Sequence, residues 1–146
     1  MFSQTVEYAL RAMVVLARHG GAPQTAQAIA GKSQVPVDYL FKVLQVLGRA
    51  GLVGAQRGKH GGFSLTRPAT EVTVLEIINA VDPIQRIRSC PLDIKSHGST
   101  LCPLHRKLDA ALQLVEHAFA STTLADLNDA PPNLMPLCGG LTHVLA

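Results

Sequence analysis

The pattern of apolar and polar residues over the first fifty positions predicts three helices. Apolar side chains recur at helical spacing over 6–17, and Gly20-Gly21 ends this pattern. A short second helix is expected after Thr25, a residue type that caps helix N-termini. A third helix starts at Pro36, which suits a first turn, and stops at Gly51. Its apolar face consists of Leu40, Val43, Leu44 and Leu47.

Two short helices joined by a tight turn are typical of a helix-turn-helix, whose second helix enters the major groove of DNA. After the third helix, the residue pattern becomes typical of β-strands over 52–57 and 63–67. The glycine-rich segment 58–62 joins them as a hairpin tip. The predicted fold is therefore mainly α with a small β-wing: a winged helix-turn-helix plus one long helix.

That long helix is predicted from Pro103 to about Phe119, with apolar residues at spacings of three and four. A small winged domain cannot bury the whole apolar stripe, so we expect it to pair with the same helix of a second subunit. A twofold homodimer would match a palindromic operator in double-stranded DNA. Shorter helices are expected over 73–81 and 123–127.

Charge is distributed unevenly along the chain. Residues 1–70 carry eight Lys or Arg against two acidic residues, a net of +6, whereas residues 71–146 carry a net of −3. A basic N-terminal half is what phosphate contacts require. No apolar run approaches the ~20 residues of a membrane span, and the first residues lack the basic start of a signal peptide. We therefore expect a cytoplasmic protein with no membrane partner.

The loop over 88–105 gathers metal-ligand residue types, namely Cys90, His97, Cys102 and His105. Pro103 predicts a helix N-terminus at Cys102, which favours the thiolate form and places His105 on the same side. The spacing is not that of paired Cys-x-x-Cys zinc sites. Structural cysteines with surface histidines, a structural zinc site and a redox site all stay open from the spacing alone. No nucleophile, base and acid combine, so an enzyme is not expected.

Five segments occur together in a characteristic order: 7–13 (EYALRAM), 39–40 (YL), 51–53 (GLV), 57–65 (RGKHGGFSL) and 74–82 (VLEIINAVD). They resemble the IscR and NsrR type of winged-helix repressor, over residues 1 to about 127. The resemblance implies a dimeric bacterial transcription regulator, a repressor, that senses iron-sulfur status, nitric oxide or redox state through a bound iron-sulfur cluster.

Cluster-binding members of that family have three cysteines in this loop. Cys90 and Cys102 match the first and third, whereas Ser96 stands at the middle position. The resemblance therefore implies a two-iron cluster (2Fe-2S) with mixed ligands more than a four-iron cluster (4Fe-4S). His105 matches a histidine of the IscR-like branch, and His97 lies beside the vacant position.

Glu7 matches an acidic position that, in some members, ligates the cluster from the other subunit. Without the resemblance, Glu7 only favours the first turn of a helix. A cluster-free regulator controlled by thiol oxidation, a small molecule or a partner protein stays the alternative. Cys138 is expected to play no part in the site.

Lys42 is the main candidate for a base contact, because it points away from the apolar face of the third helix. Arg57 aligns with an arginine that the family uses for DNA, and Lys59 and His60 are expected to contact phosphates. Asp38, Tyr39 and Gly61 complete the predicted DNA-binding set.

The predicted organisation has four parts. A winged helix-turn-helix DNA-binding domain covers 1–82, and a cluster-binding loop covers 83–102. The dimerisation helix with the following short helix covers 103–127, and a flexible C-terminal tail covers 128–146.

Overall fold

A computed structural model of the 146-residue chain describes residues 2–97 and 100–136. The fold is mainly α with a two-stranded antiparallel sheet, as the sequence predicts. The elements in chain order are α1 (Gln4–Ala17), α2 (Ala26–Ser33), α3 (Val37–Arg49), β1 (Val53–Gln56), β2 (Gly62–Leu65), α4 (Val74–Val81), α5 (Pro103–Ala120) and α6 (Leu124–Asn128). Two short 3-10 helices, Ala69–Glu71 and Lys95–His97, were not expected.

Helix α1 lies at the centre of the core. The Ser3 hydroxyl caps its first turn by accepting from the backbone N–H of Val6. Ala9, Ala12 and Met13 are fully buried, and α1 packs against α2, α3, α4 and α6. The small alanine side chains allow these four helices to approach closely. Apolar burial around α1 is therefore the main stabilising contribution to the fold.

The three-helix start follows the predicted pattern. Thr25 caps α2 by accepting from the backbone N–H of Ala28. The predicted apolar face of α3 is buried, with Leu40, Val43, Leu44 and Leu47 each at most 2% exposed. Gly51, with φ +76°, follows the end of α3 in the left-handed conformation that glycine adopts without strain.

The wing pairs β1 with β2 in antiparallel register from Val53 opposite Leu65 to Gln56 opposite Gly62. A third segment extends this sheet. The backbone N–H of Gln24 donates to the carbonyl of Phe63, and the N–H of Phe63 donates back to Gln24, at 2.9 and 2.8 Å. The segment before α2 thus fixes the wing to the helices.

Helices α4 and α6 begin side by side. Thr73 and Glu76 form a capping box at α4, and Thr123 and Asp126 form a second one at α6. Backbone hydrogen bonds from Val74 to Thr122 and from Leu124 to Val72, both 2.9 Å, join the two starts. After α5 the chain returns to the core, where the Leu124 side chain is fully buried with residues of α1.

Helix α5 begins at Pro103 as predicted, and none of its 18 residues is buried. One side packs on α4, and Phe119 makes an edge contact with Phe2 at 5.5 Å between ring centroids. Leu104 and Leu108, one turn apart, form an exposed apolar stripe at 64% and 48% exposure, and Leu114 is 73% exposed on another side of the helix. Leu112 and Val115, which continue the apolar pattern of Leu104 and Leu108, are half-buried beside Phe2 and Val6 of the same chain. Over the described ranges, no helix has both the length and the apolar character needed to cross a bilayer.

Candidate DNA-binding surface and cysteine loop

The exposed face of α3 carries two residues of the predicted DNA-binding set. Asp38 and Lys42 are exposed, one turn apart on the side away from the core. Phe41 and Gln45 share that side and are also exposed. The first two turns of this face carry the anionic Asp38 and the cationic Lys42. In helix-turn-helix proteins, the N-terminal residues of the second helix contact the base edges.

Tyr39 is placed differently from the other predicted DNA contacts. Its ring packs edge-on against Tyr8 at 5.1 Å between centroids, and its hydroxyl lies 2.7 Å from the Thr5 hydroxyl. Both partners belong to α1. The side chain of Tyr39 therefore joins α3 to the start of α1.

The wing tip presents Arg57, Lys59 and His60 to solvent. Its turn requires glycine: a Cβ at Gly61 would lie 2.1 Å from the Gln56 carbonyl oxygen. A Cβ at Gly62 would lie 2.4 Å from the carbonyl oxygen of Gln24. Gly61 thus shapes the tip that carries the basic side chains, and the absence of a side chain leaves main-chain amides accessible.

A groove of about 450 Å³ separates α3 from the wing. Phe41, Lys42 and Gln45 form its helical wall, and Ala55 and Phe63 lie on its wing wall. Phe41 and Gln45 were not predicted as DNA contacts from the sequence. The available signal was helical spacing, which places both on the same side of α3 as Asp38 and Lys42.

The cysteine loop brings one predicted ligand pair together. The Sγ of Cys102, the N-cap residue of α5, lies 3.3 Å from Nδ1 of His105. Cys90 is half-buried with a free thiol. His97 ends the short 3-10 helix, and its Nδ1 is buried with no hydrogen-bond partner among the described residues. Leaving a buried imidazole nitrogen without a partner costs free energy.

No group of three or more His, Cys, Asp or Glu side chains that could hold a metal ion occurs within residues 2–97 and 100–136. Glu7 is exposed on α1, where it forms an ion pair with Arg11 at 3.0 Å. Among the described residues, the predicted metal ligands are therefore assembled only as the Cys102 and His105 pair. Cys138 lies outside the described residues.

A guanidinium clamp holds the start of the cysteine loop on α5. Arg86 donates to both carboxylate oxygens of Asp109 at 2.7 Å and to Glu116 at 2.8 Å. The Asp109 carboxylate also accepts from the backbone N–H of Ile87 at 2.9 Å. These bonds lower the pKa of Asp109 to about 2, chiefly through Arg86, and raise the pKa of Arg86. The bidentate pair fixes orientation as well as distance.

Comparison with known proteins identifies relatives that match nearly the whole chain. The sequence profile of the Rrf2 family, described as an iron-dependent transcriptional regulator, matches residues 2–130. A candidate HTH-type transcriptional regulator of Aquifex aeolicus is 29% identical over 141 residues, covering 94% of this chain and 98% of the relative. A candidate HTH-type regulator of Mycobacterium tuberculosis is 34% identical over 130 residues, covering 86% of this chain and 79% of the relative.

Solved structures of similar proteins include two regulators. IscR of T. potens superimposes with a TM-score of 0.75 at 28% identity, covering 93% of this chain and 92% of that protein. CymR, the global cysteine regulator of B. subtilis, superimposes with a TM-score of 0.73 at 29% identity, covering 87% of this chain and 95% of that protein. These relatives are regulators and not enzymes, as expected from the sequence.

The Arg86 clamp generates a pH-dependent prediction. Because the folded-state pKa of Asp109 lies below the ordinary aspartate value of about 4, its contribution to stability is complete above that value. It is lost as the pH falls through about 2. Asp109→Ala should therefore lower the free energy of unfolding at neutral pH, and the deficit relative to wild type should shrink between about pH 4 and about pH 2.

Urea unfolding at each pH measures both effects. Glu71→Ala, at an exposed acidic side chain, is the control. A deficit for Asp109→Ala that stays constant down to the lowest pH would show that the carboxylate charge does not stabilise the clamp.

Proposed function

Because the chain belongs to the Rrf2 family of transcription regulators, we propose that it is a dimeric, sequence-specific DNA-binding repressor that senses iron-sulfur, nitric oxide or redox state through a bound iron-sulfur cluster. The observation that carries the DNA-binding part is the arrangement of exposed charge around α3. Lys42 lies on the solvent side of α3, and Arg57, Lys59 and His60 lie on the adjoining wing.

This arrangement suits a double-stranded DNA partner. The opposite face of α3 is buried in the core, so only the face with Lys42 is available to a major groove. The wing tip adds cationic groups beside it, in the position from which a wing contacts the phosphate backbone. Its turn is held by the close backbone approaches at Gly61 and Gly62.

The unpaired stripe on α5 supports homodimerisation. Leu104 and Leu108 lie one turn apart on α5 and form an apolar stripe that remains largely in solvent in the single chain. Pairing the stripe with its copy removes this apolar area from water. The resulting twofold axis would give two α3 helices related as a palindromic operator requires.

The cluster part rests on donor chemistry. Cys102 and His105 form a thiol-imidazole pair at the N-terminus of α5, and the buried Nδ1 of His97 has no hydrogen-bond partner in the part of the chain that the structure describes. Two thiols, Cys90 and Cys102, with imidazole ligands fit a two-iron cluster better than a four-iron cluster. A bound cluster would supply one-electron redox chemistry and reactivity towards oxygen or nitric oxide.

The incomplete ligand set in one chain is consistent with ligation across the dimer. The proposed ligands from one subunit are Cys90, Cys102 and His105, with either His97 of the same loop or Glu7 of the other subunit completing the set. Glu7 is exposed, and the ion pair that it forms within the described residues is with Arg11, so its carboxylate is accessible from outside its own chain. Exposed pairs of this kind are weak and are readily exchanged for a ligand bond.

The contacts of α1 provide a route from such a site to DNA. Glu7 is followed by Tyr8, whose ring packs on Tyr39 of α3 and lies 5.8 Å from the Arg11 guanidinium. A shift of Glu7 would therefore change contacts at the first turn of α3. Regulation requires that the cluster favour one of two arrangements of this contact.

A cluster-free regulator is the second candidate, favoured by the Cys102 and His105 contact. The Cys102 thiol lies 3.3 Å from the His105 imidazole at the N-terminus of α5 and is only partly buried, so an oxidant can reach it. In this case Cys90 and Cys102 act as redox thiols, or a small molecule or partner protein acts as the signal.

The first prediction for this function concerns DNA binding. Lys42→Ala should cost about 1 to 3 kcal/mol and change the preferred base at one position of each half-site, because a base-edge contact is lost. Lys59→Ala should weaken all sequences alike and reduce the dependence of binding on salt. Titration of labelled duplexes at several salt concentrations measures both. Unchanged binding by a Lys42→Ala, Arg57→Ala double variant would contradict the proposed surface.

The second prediction concerns assembly. The wild type should sediment as a dimer at micromolar concentration, and Leu108→Glu should weaken the dimer by at least about a hundredfold, since a buried unpaired charge costs several kcal/mol. Leu134→Glu, at a leucine that is 69% exposed outside α5, is the matched control and should leave the dimer intact. A monomeric wild type would overturn the proposed role of α5.

The third prediction concerns the cluster. Anaerobic reconstitution should load iron and sulfide, and Cys90→Ala or Cys102→Ala should abolish loading. His105→Ala should shift the ultraviolet-visible spectrum, whereas Cys138→Ala should leave it unchanged. Wild type without iron and sulfide after reconstitution, or cysteine variants with an unaltered spectrum, would exclude the cluster and favour the cluster-free candidate.

A further inference from the structure

Phe41 is an exposed apolar residue on a polar face of α3. It is 48% exposed, although its neighbour Leu40 is fully buried on the other side of the same helix. The face of α3 that bears Phe41 otherwise carries polar and charged residues, including Asp38, Lys42 and Gln45. A phenylalanine half in water on a polar helix face gains free energy when an apolar group covers it.

The position of Phe41 restricts which kind of apolar group can cover its side chain. Phe41 lies in the second turn of α3 and forms one wall of the groove of about 450 Å³ between α3 and the wing. The opposite wall consists of Val53, Gly54 and Ala55 of β1 with Phe63 of β2, so the groove floor is largely apolar. Lys42 stands at the groove, and Arg57 follows the strand that forms the far wall.

An apolar groove bordered by cations suits a partner that is anionic outside and carries a small apolar projection. Double-stranded DNA meets both conditions. The base edges in the major groove display one methyl group, the C5-methyl of thymine, and phenylalanine is among the side chains that contact it. Gln45, one turn after Phe41 on the same wall, has the amide that pairs with the N6 and N7 edge of adenine.

We propose that Phe41 is a specificity-determining residue that contacts the C5-methyl group of a thymine in each operator half-site, while Gln45 contacts the adenine of the same or the adjacent base pair. The inference rests on the proposed DNA-binding function and adds the base that the groove selects. The two side chains together favour A·T over G·C at the one or two base pairs that they contact, because cytosine has no methyl group and guanine has no N6 donor.

The test separates the methyl group from the rest of the base. Operators are selected from a library of random duplexes by the full-length wild type, in its apo form and after anaerobic reconstitution. Each thymine of the enriched sequence is then replaced by deoxyuridine, which deletes only the C5-methyl. Wild type, Phe41→Ala, Phe41→Leu and the control Leu134→Ala are titrated with each duplex.

For the wild type, one deoxyuridine position per half-site should weaken binding about fourfold, the equivalent of one buried methyl group. Phe41→Ala should bind the thymine and deoxyuridine duplexes equally, and Phe41→Leu should retain part of the difference. Leu134→Ala should behave as wild type. Gln45→Ala should lose discrimination against replacement of the adenine in the same region.

Three outcomes overturn the inference. If the wild type enriches an operator but no deoxyuridine replacement weakens binding, Phe41 does not contact a thymine methyl, and the proposed function is untouched. If Phe41→Ala weakens the thymine and deoxyuridine duplexes by the same factor while a methyl effect persists, Phe41 only supports the groove. If the wild type enriches no sequence in either form, both the inference and the proposed function fail.

Discussion

The burial of α1 is the constraint on which the rest of the molecule depends. Its small residues Ala9 and Ala12 are fully enclosed, and four other helices and β2 pack around it. Larger side chains at these positions would separate the packed helices, because close-packed interiors accommodate added volume poorly. The same helix carries Glu7 and Tyr8 at its start, so the core that stabilises the fold also determines how that start meets α3.

Local sequence signals account for most of the secondary structure. The apolar periodicity of α1, α3 and α5, the N-cap Thr25 and the first-turn Pro103 place these elements within a residue or two of their observed ends. The glycines of the wing tip predict the hairpin turn, and the turn indeed excludes a Cβ at Gly61. The sequence identifies these helices and this turn because each depends on residues that are neighbours in sequence.

Contacts between distant residues were not predictable in this way. The pairing of Gln24 with Phe63, and the salt bridge from Arg86 to an aspartate 23 residues later, have no local signature. For the candidate sites, spacing identified the Cys102 and His105 pair because both lie on the first turn of one helix. It could not place Cys90 or Glu7 relative to that pair, because their positions depend on the loop path and on a second subunit. Helical spacing places Phe41 beside Lys42, but an apolar side chain resembles a core residue until its exposure is known, so Phe41 was not predicted as a DNA contact.

The return of the chain through α6 makes α5 an insertion within one folding unit. The core formed by the elements before α5 is completed by Leu124, which follows α5. Backbone hydrogen bonds between 72–74 and 122–124 hold the residues after α5 against the start of α4. A chain cut before α6 would leave a leucine-sized cavity beside α1, a defect that costs about 3 to 5 kcal/mol in comparable cores. Helix α5 is thus held at its C-terminal end by this ladder and along its length by the Arg86 contacts to Asp109 and Glu116. A movement of α5 relative to the core would therefore have to strain the ladder and the clamp together.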